Sequence, residues 1–372
     1  MKILIATPLY PPEIGGPATY AKFLEENLPK KDFDITVLPF SEVRWLPHVI
    51  RHAVYFFKVL RRGRNADIIY ALDPLGVGVP AGLAAKLLGK RFFLRIAGDR
   101  AWETAVQKFG VTDSLDDFSC YSFSLDKYSS TIRRLKSGQV FGARLAEKII
   151  VPSEYLKKIV SNWGIPKEKI RVIYNAFDPV FLDEEKNNFR QELSLKGTVL
   201  LSAGRLVPWK GFEALIRMMP RLLNEIPDAV LYIAGDGPEK NRLLELSYEL
   251  RQRGKVVLLG ALPKETLARY IKAADIFLLN TFYEGFSHQL LEVMSLGTPL
   301  VTTTAGGNPE LAEDGKDALL VQYNNKEALF RATLRILHEE GLANSLSFRA
   351  REKVWQFSKE RAVADFIKEC KS

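Results

Sequence analysis

Cysteine is scarce in this chain. Its 372 residues include two, Cys120 and Cys370, far apart and in no metal-ligand spacing. That excludes a disulfide-stapled scaffold and a cysteine zinc site, and it predicts a reducing compartment. Long apolar runs are absent too: none reaches the roughly eighteen residues of a spanning helix. The opening MKILIATPLYPP is broken at Thr7 and Pro8 and does not read as a signal peptide. The expectation is a cytoplasmic protein, soluble or peripheral on the cytoplasmic face of the membrane. No low-complexity tract occurs, and no recognised DNA- or RNA-binding motif accompanies the formal net charge of +9. The charge favours anionic partners, and phosphates, nucleic acid and acidic membrane surfaces all qualify; the missing motif is what counts against nucleic acid.

What is present is an alternation of strands and helices. The length predicts two domains. Lys2 to Thr7 (KILIAT) reads as a buried parallel strand, followed by a loop with Gly15 and Gly16, a helix over about Ala18–Leu28 and a strand over Asp34–Leu38. The glycines either let backbone approach a ligand at a helix N-terminus or form a plain turn. Ser41 to Arg64 reads as one basic amphipathic helix with Trp45, Phe56 and Phe57; it either lies on an anionic membrane or covers the sheet with a solvated basic face. Strands follow at Asp67–Ala71, Arg91–Ile96, Lys148–Pro152 and Ile170–Tyr174, and Gln107 to Leu125 shows no clear period. Phe181 to Lys196 is charged and without a strand, which puts the domain junction near residues 178–197. A second alternation begins at Thr198 and ends with a strand at Ala318–Val321 and two helices. The fold class is α/β, two Rossmann-like domains facing each other across a cleft: residues 1–178 on the acceptor side and residues 179–355 binding the nucleotide.

Loops at strand ends carry the candidate chemistry. Arg205 and Lys210 follow one strand of the second half and suit a diphosphate, a guanidinium bridging two phosphoryl oxygens and an ammonium neutralising the rest. Glu284 and Glu292 lie eight residues apart in TFYEGFSHQLLEVMSLGTPL, Glu284 in a loop and Glu292 in the following helix. Eight helical residues rise about 12 Å, comparable to the reach from a sugar past a diphosphate to a ribose. Glu284 would then take sugar hydroxyls and Glu292 the ribose pair, with the amides of Phe286 and Ser287 aimed at the anion. Gly306 and Gly307 form a third loop on the same edge. In the first half Asp99 and Glu103 follow the Arg91–Ile96 strand, as ligand-contacting groups or as a helix cap with a first-turn acid.

On these residues the chain resembles a family 4 glycosyltransferase of the GT-B fold. Glu284-Gly285-Phe286-Ser287 through Glu292 is similar to that family's paired-glutamate signature, Gly204-Arg205 with Lys210-Gly211 to its Gly-Arg and Lys-Gly segment, and Gly15-Gly16 to its N-terminal glycine loop. Val172 to Asp178, containing Asn175, is similar to its Val-Ile-x-Asn-Gly-Val-Asp segment, with Ala176 in place of glycine. The resemblance implies a retaining hexosyltransferase using a nucleoside diphosphate sugar, UDP- or GDP-linked, with a carbohydrate or lipid-linked acceptor in cell-surface polysaccharide or glycolipid synthesis. It implies catalysis without a metal or other cofactor, Arg205 and Lys210 stabilising the leaving diphosphate, Glu284 on the donor sugar, Glu292 on the ribose, and Gly15 and Gly16 closing on the phosphates. It also implies that the last helix, within 356–372, packs back on the first domain. Many members carry His-Asp where this chain has Gly98-Asp99, which leaves Asp99, with Glu103, to orient or deprotonate the acceptor; His288 is a further candidate donor contact. A sugar-nucleotide epimerase and a non-catalytic sugar-nucleotide binder of the same fold are the alternatives.

Overall fold

The computed structural model describes all residues except 14, 121–126, 178–181, 183 and 253, and the side chains of 48 and 49 are left aside. The described residues form two compact units, Met1–Tyr174 with Lys359–Ser372, and Asn175–Ser358.

The first unit runs β1 (Lys2–Thr7), α1 (Gly16–Asn27), β2 (Asp34–Pro39), α2 (His48–Gly63), β3 (Ile68–Ala71), α3 (Gly78–Leu88), β4 (Arg91–Arg95), α4 (Arg100–Phe109), α5 (Leu115–Ser119), α6 (Ser130–Leu145), β5 (Lys148–Val151), α7 (Glu154–Asn162) and β6 (Ile170–Val172). Its strands are parallel in the order β2-β1-β3-β4-β5-β6. β3 and β5 are buried at every position, Lys148 at the start of β5 included, because helices cover both faces of a parallel sheet.

The second unit repeats the plan with α8 (Lys186–Glu192), β7 (Val199–Ala203), α9 (Phe212–Glu225), β8 (Val230–Ala234), α10 (Lys240–Glu249), β9 (Val256–Gly260), α11 (Lys264–Ala273), β10 (Ile276–Leu279), α12 (His288–Leu296), β11 (Leu300–Thr303), α13 (Asn308–Leu311), β12 (Leu319–Val321), α14 (Lys326–His338) and α15 (Leu342–Val354). The order is β12-β11-β10-β7-β8-β9, again parallel. Its core joins sheet residues such as Leu200, Ile233 and Leu278 to Leu215, Met219 and Leu222 on α9. Both units are therefore Rossmann-like α/β domains.

The chain ends in α16 (Lys359–Lys371), which belongs to the first unit. Phe366 is fully buried with its ring 5.4 Å from that of Tyr70, Arg91 donates to the Cys370 carbonyl at 2.8 Å, and Lys148 donates to the Glu369 carbonyl at 2.7 Å. No helix of the described residues is long and apolar enough to cross a membrane.

Three expectations change, and the charged stretch, read only as lacking a strand, gains a helix. Ser41 to Arg64 is not one helix: a 3-10 turn covers Phe40–Val43 and α2 starts only after Pro47, which lacks an amide and disfavours helix in the residue before it. The charged stretch before β7 holds a short helix, α8. Of the aperiodic segment, Gln107 to Phe109 finish α4, Gly110 ends it in the left-handed conformation, and Ser114 caps α5; residues 121–125 lie outside the described residues. Three helices, not two, follow β12, the last preceded by a 3-10 turn at Trp355–Phe357. The expected junction near 178–197 lies partly outside the described residues.

Candidate functional site

In an open parallel sheet, ligands bind beyond the carboxyl ends of the strands where the strand order reverses. In the second unit the reversal falls between the neighbours β7 and β10. The loop after β7 carries Arg205 and Lys210, the loop after β10 carries Glu284, and that after the adjacent β11 carries Gly306 and Gly307. Topology alone thus brings the three predicted loops together.

Buried amides and tight glycines lock them in place. Asn280, fully buried at the end of β10, donates from Nδ2 to the Gly211 carbonyl and to Asn324 Oδ1, each at 2.8 Å, and accepts from the Asn324 amide at 2.9 Å. The Phe282 amide donates to the Trp209 carbonyl at 2.7 Å. Gly211 has φ 56°, and a Cβ there would sit 2.3 Å from Asn280 Nδ2, so only glycine lets the turn close on the loop. At Gly306 (φ 62°) a Cβ would meet the Glu284 carbonyl oxygen at 2.2 Å, and the Gly307 amide donates to that same oxygen at 2.8 Å. Gly306 and Gly307 therefore hold the Glu284 main chain.

The result is a direct ion pair: Lys210 Nζ donates to Glu284 Oε1, with both side chains mostly shielded. Arg205 is exposed, and among the described residues its guanidinium has no ion-pair partner. Ser287 is buried and caps α12, its hydroxyl accepting from the Leu290 amide at 3.3 Å. Phe286 is buried, and its carbonyl accepts from Asn175 Nδ2 at 3.0 Å, which ties the segment after β6 to the start of α12; His288 opens the helix on its exposed side. Glu292 lies one turn in. Burial pushes its carboxyl above the usual range, with Lys264 opposing, and its buried Oε1 has no hydrogen-bond partner among the described residues. The helix covers only His288 to Glu292 of the eight-residue interval, so the 12 Å helical rise does not apply across it.

In the first unit the reversal lies between β1 and β3. Gly15 (φ 155°) caps α1, and a Cβ on it would meet Leu9 Cδ1 at 2.7 Å, whereas one on Gly16 would face open space. Asp73, in the loop after β3, was not singled out in the sequence. Its Oδ2 accepts from the Leu75 amide at 3.2 Å and from the Gly76 amide, and its end-of-strand position at the reversal is the signal that could have found it. Asp99 lies in the loop after β4. Fully buried, it caps α4, its Oδ1 accepting from the Trp102 amide and from Gln139 Nε2, both at 2.9 Å. Burial raises its pKa, opposed by these bonds and by the buried Lys136 ammonium; Oδ2 has no hydrogen-bond partner among the described residues. Capping is thus its first role, and Glu103 follows in the first turn. Gln139 and Lys136, the latter donating to the Phe118 carbonyl at 2.5 Å, also went unnoticed, since contacts made across tens of residues leave no local pattern.

Among the described residues no group of His, Cys, Asp and Glu could hold a metal ion. Residues 14–181 match the family described as Glycosyltransferase Family 4, and residues 183–353 match Glycosyl transferases group 1. The chain belongs to the GT4/GT1-like glycosyltransferase superfamily, on the GT-B fold. This glycosyltransferase is 29% identical to an uncharacterized glycosyltransferase of Methanocaldococcus jannaschii over 96% of this chain and 94% of that one. It is 30% identical to the N-acetylgalactosamine-N,N'-diacetylbacillosaminyl-diphospho-undecaprenol 4-alpha-N-acetylgalactosaminyltransferase of Campylobacter jejuni over 57% of this chain and 56% of that one. Its fold is similar to that of Anabaena HepE in complex with UDP and glucose, with a TM-score of 0.79 and 20% identity over 100% of both chains. Superfamily membership makes it an enzyme that transfers a sugar from a nucleoside diphosphate donor.

Proposed function

We propose that this glycosyltransferase moves a hexosyl unit from a UDP- or GDP-sugar to an acceptor hydroxyl with retention at the anomeric carbon, in cell-surface polysaccharide or glycolipid synthesis at the cytoplasmic face of the membrane. The observation that carries the reading is the Lys210–Glu284 pair at the β7–β10 reversal. A diphosphate offers Lys210 more negative charge than one carboxylate does. Its arrival would draw Lys210 and Arg205 onto the phosphoryl oxygens and free Glu284 Oε1 to accept from a sugar hydroxyl. Donor binding thereby assembles the group that holds the sugar. The ribose hydroxyls would meet the unpartnered Oε1 of Glu292. Arg205 and Lys210 would then stabilise the departing diphosphate, so that catalysis is electrostatic and positional and needs no metal or other cofactor.

In the first unit, Gly15 and Gly16 would offer backbone to an anionic group, and Asp99 Oδ2 with Glu103 would orient an acceptor hydroxyl. The name of the Campylobacter relative points to an acceptor carried on diphospho-undecaprenol and to an alpha linkage, which favours a lipid-linked acceptor here. The test is a titration of UDP, GDP and ADP and their sugars, followed by assay of nucleoside diphosphate release with lipid-linked acceptors. Glu284→Gln and Lys210→Ala are expected to abolish transfer without lowering the melting temperature appreciably. Near-wild-type turnover in both, or isomerised donor in the absence of any acceptor, would remove the reading.

A further inference from the structure

The charge of the protein is unevenly held. The first unit has 31 Lys and Arg against 20 Asp and Glu, a net +11, while the second has 22 against 24, a net −2. Within the first unit, α2 packs on α3 and α3 on α6. These three helices, of 16, 11 and 16 residues, contain no Asp or Glu at all.

Their outer faces carry two kinds of side chain. Tyr55 and Val59 of α2, Ala81, Ala84 and Ala85 of α3, and Ile132, Val140 and Ala143 of α6 are buried. On the opposite sides Ile50, Phe57, Leu83, Leu87 and Phe141 are exposed, Phe57 at 64% and Leu87 at 71%, with Trp45 just before α2 at 80%. Interleaved with them, Arg61, Arg64, Lys86, Arg134 and Arg144 are exposed, and among the described residues none of the five has an ion-pair partner. Lys58 and Arg62 differ: both pair with Glu42. The basic character of α2 alone is thus partly neutralised, and the uncompensated surface is the three-helix layer.

We infer that the outer face of the α2–α3–α6 layer docks on an anionic lipid bilayer. Scattered exposed leucines are ordinary, but large apolar side chains spread over three adjoining helices together with unpaired cations match the two regions of a bilayer surface: acyl boundary for the apolar tips, anionic headgroups for the guanidinium and ammonium groups. Nucleic acid fits less well, because Ile50, Leu83 and Leu87 give neither stacking planes nor phosphate contacts. Each helix of a parallel α/β unit begins at the carboxyl edge of the sheet, where the Gly15-Gly16 loop and Asp99 also lie. Docking by this face would therefore bring a lipid-borne acceptor to that edge. This last step rests on the reading of the protein as a transferase with such an acceptor; the binding itself does not.

Flotation of the full chain with phosphatidylcholine vesicles, with and without phosphatidylglycerol, tests the docking. Co-flotation is expected only with the anionic lipid and should weaken at high salt. Leu87→Ser and the pair Arg134→Gln with Arg144→Gln, on helices other than α2, are each expected to lower vesicle affinity, by roughly fivefold per cation removed. Melting temperature and UDP binding in solution should stay unchanged and show that the variants fold. Flotation that ignores anionic lipid, that responds to α2 substitutions alone, or that gives way to equally tight binding of a DNA or RNA duplex would overturn the inference. Failure of sugar transfer with intact flotation would instead count against the catalytic reading.

Discussion

Glu292 shows what a single buried oxygen implies. Burial raises the pKa of its carboxyl, so the proton is held to a higher pH in the folded chain than in the unfolded one. The sign for stability follows: as pH rises from the ordinary carboxyl range through the raised value, the folded state must ionise a buried group that the unfolded chain ionises freely, and stability falls. In the proposed site ribose hydroxyls would donate to Oε1 and stabilise the carboxylate, so that the nucleotide would prefer the ionised form. Nucleotide affinity is expected to drop as pH falls through the raised pKa, by up to about tenfold per pH unit for one proton. Glu292→Gln should bind more weakly at neutral pH and lose this dependence, and calorimetric titration across pH would check it. A Gln variant with the same pH profile as the wild type would separate Glu292 from the nucleotide. The paired glutamates were legible in the sequence because chemistry and spacing sit within nine residues. Asn280 with Asn324, and Asp99 with Gln139, were not, since each pair meets only after the sheet has formed.

Among elements, the loops matter more than the helices they join. The strands were easy to read: parallel strands covered on both faces are largely apolar, and β1 lies where the sequence pattern put it. The short helices α5 and α8 escaped because neither is long enough to show a period. The glycine loop at Gly306 was legible as a third loop on the binding edge. In the fold its missing side chain also lets the Glu284 main chain pass. Gly306→Ala is therefore expected to move the Glu284 turn, through both the left-handed backbone and the close carbonyl. A displacement of about 1 Å costs on the order of a hundredfold in kcat/KM. Global stability should change less, because the apolar core of the unit lies elsewhere. Steady-state kinetics beside a melting curve separates the two effects. A Gly306→Ala enzyme with normal kcat/KM would show that this close approach does not position Glu284.

At the scale of the molecule, the chain builds one unit, leaves it for the second and returns through α16. The return is built into the first core. Phe366 is fully buried beside Tyr70, which is itself fully buried on β3, and Lys148 and Arg91 find backbone acceptors on the last turn of α16. Without α16, two cations at the sheet edge would lose those acceptors and an aromatic site would open. Phe366→Ala is expected to destabilise the first unit by about 3–5 kcal/mol, the cost of emptying a buried aromatic site. The loss should be local. Amide exchange measured by mass spectrometry should accelerate in β1, β3 and β4 and leave β7, β10 and β11 as in the wild type, because Phe366 packs within the first unit. Equal acceleration in both units would mean that the two unfold together and that α16 stabilises the whole chain rather than the unit it packs on.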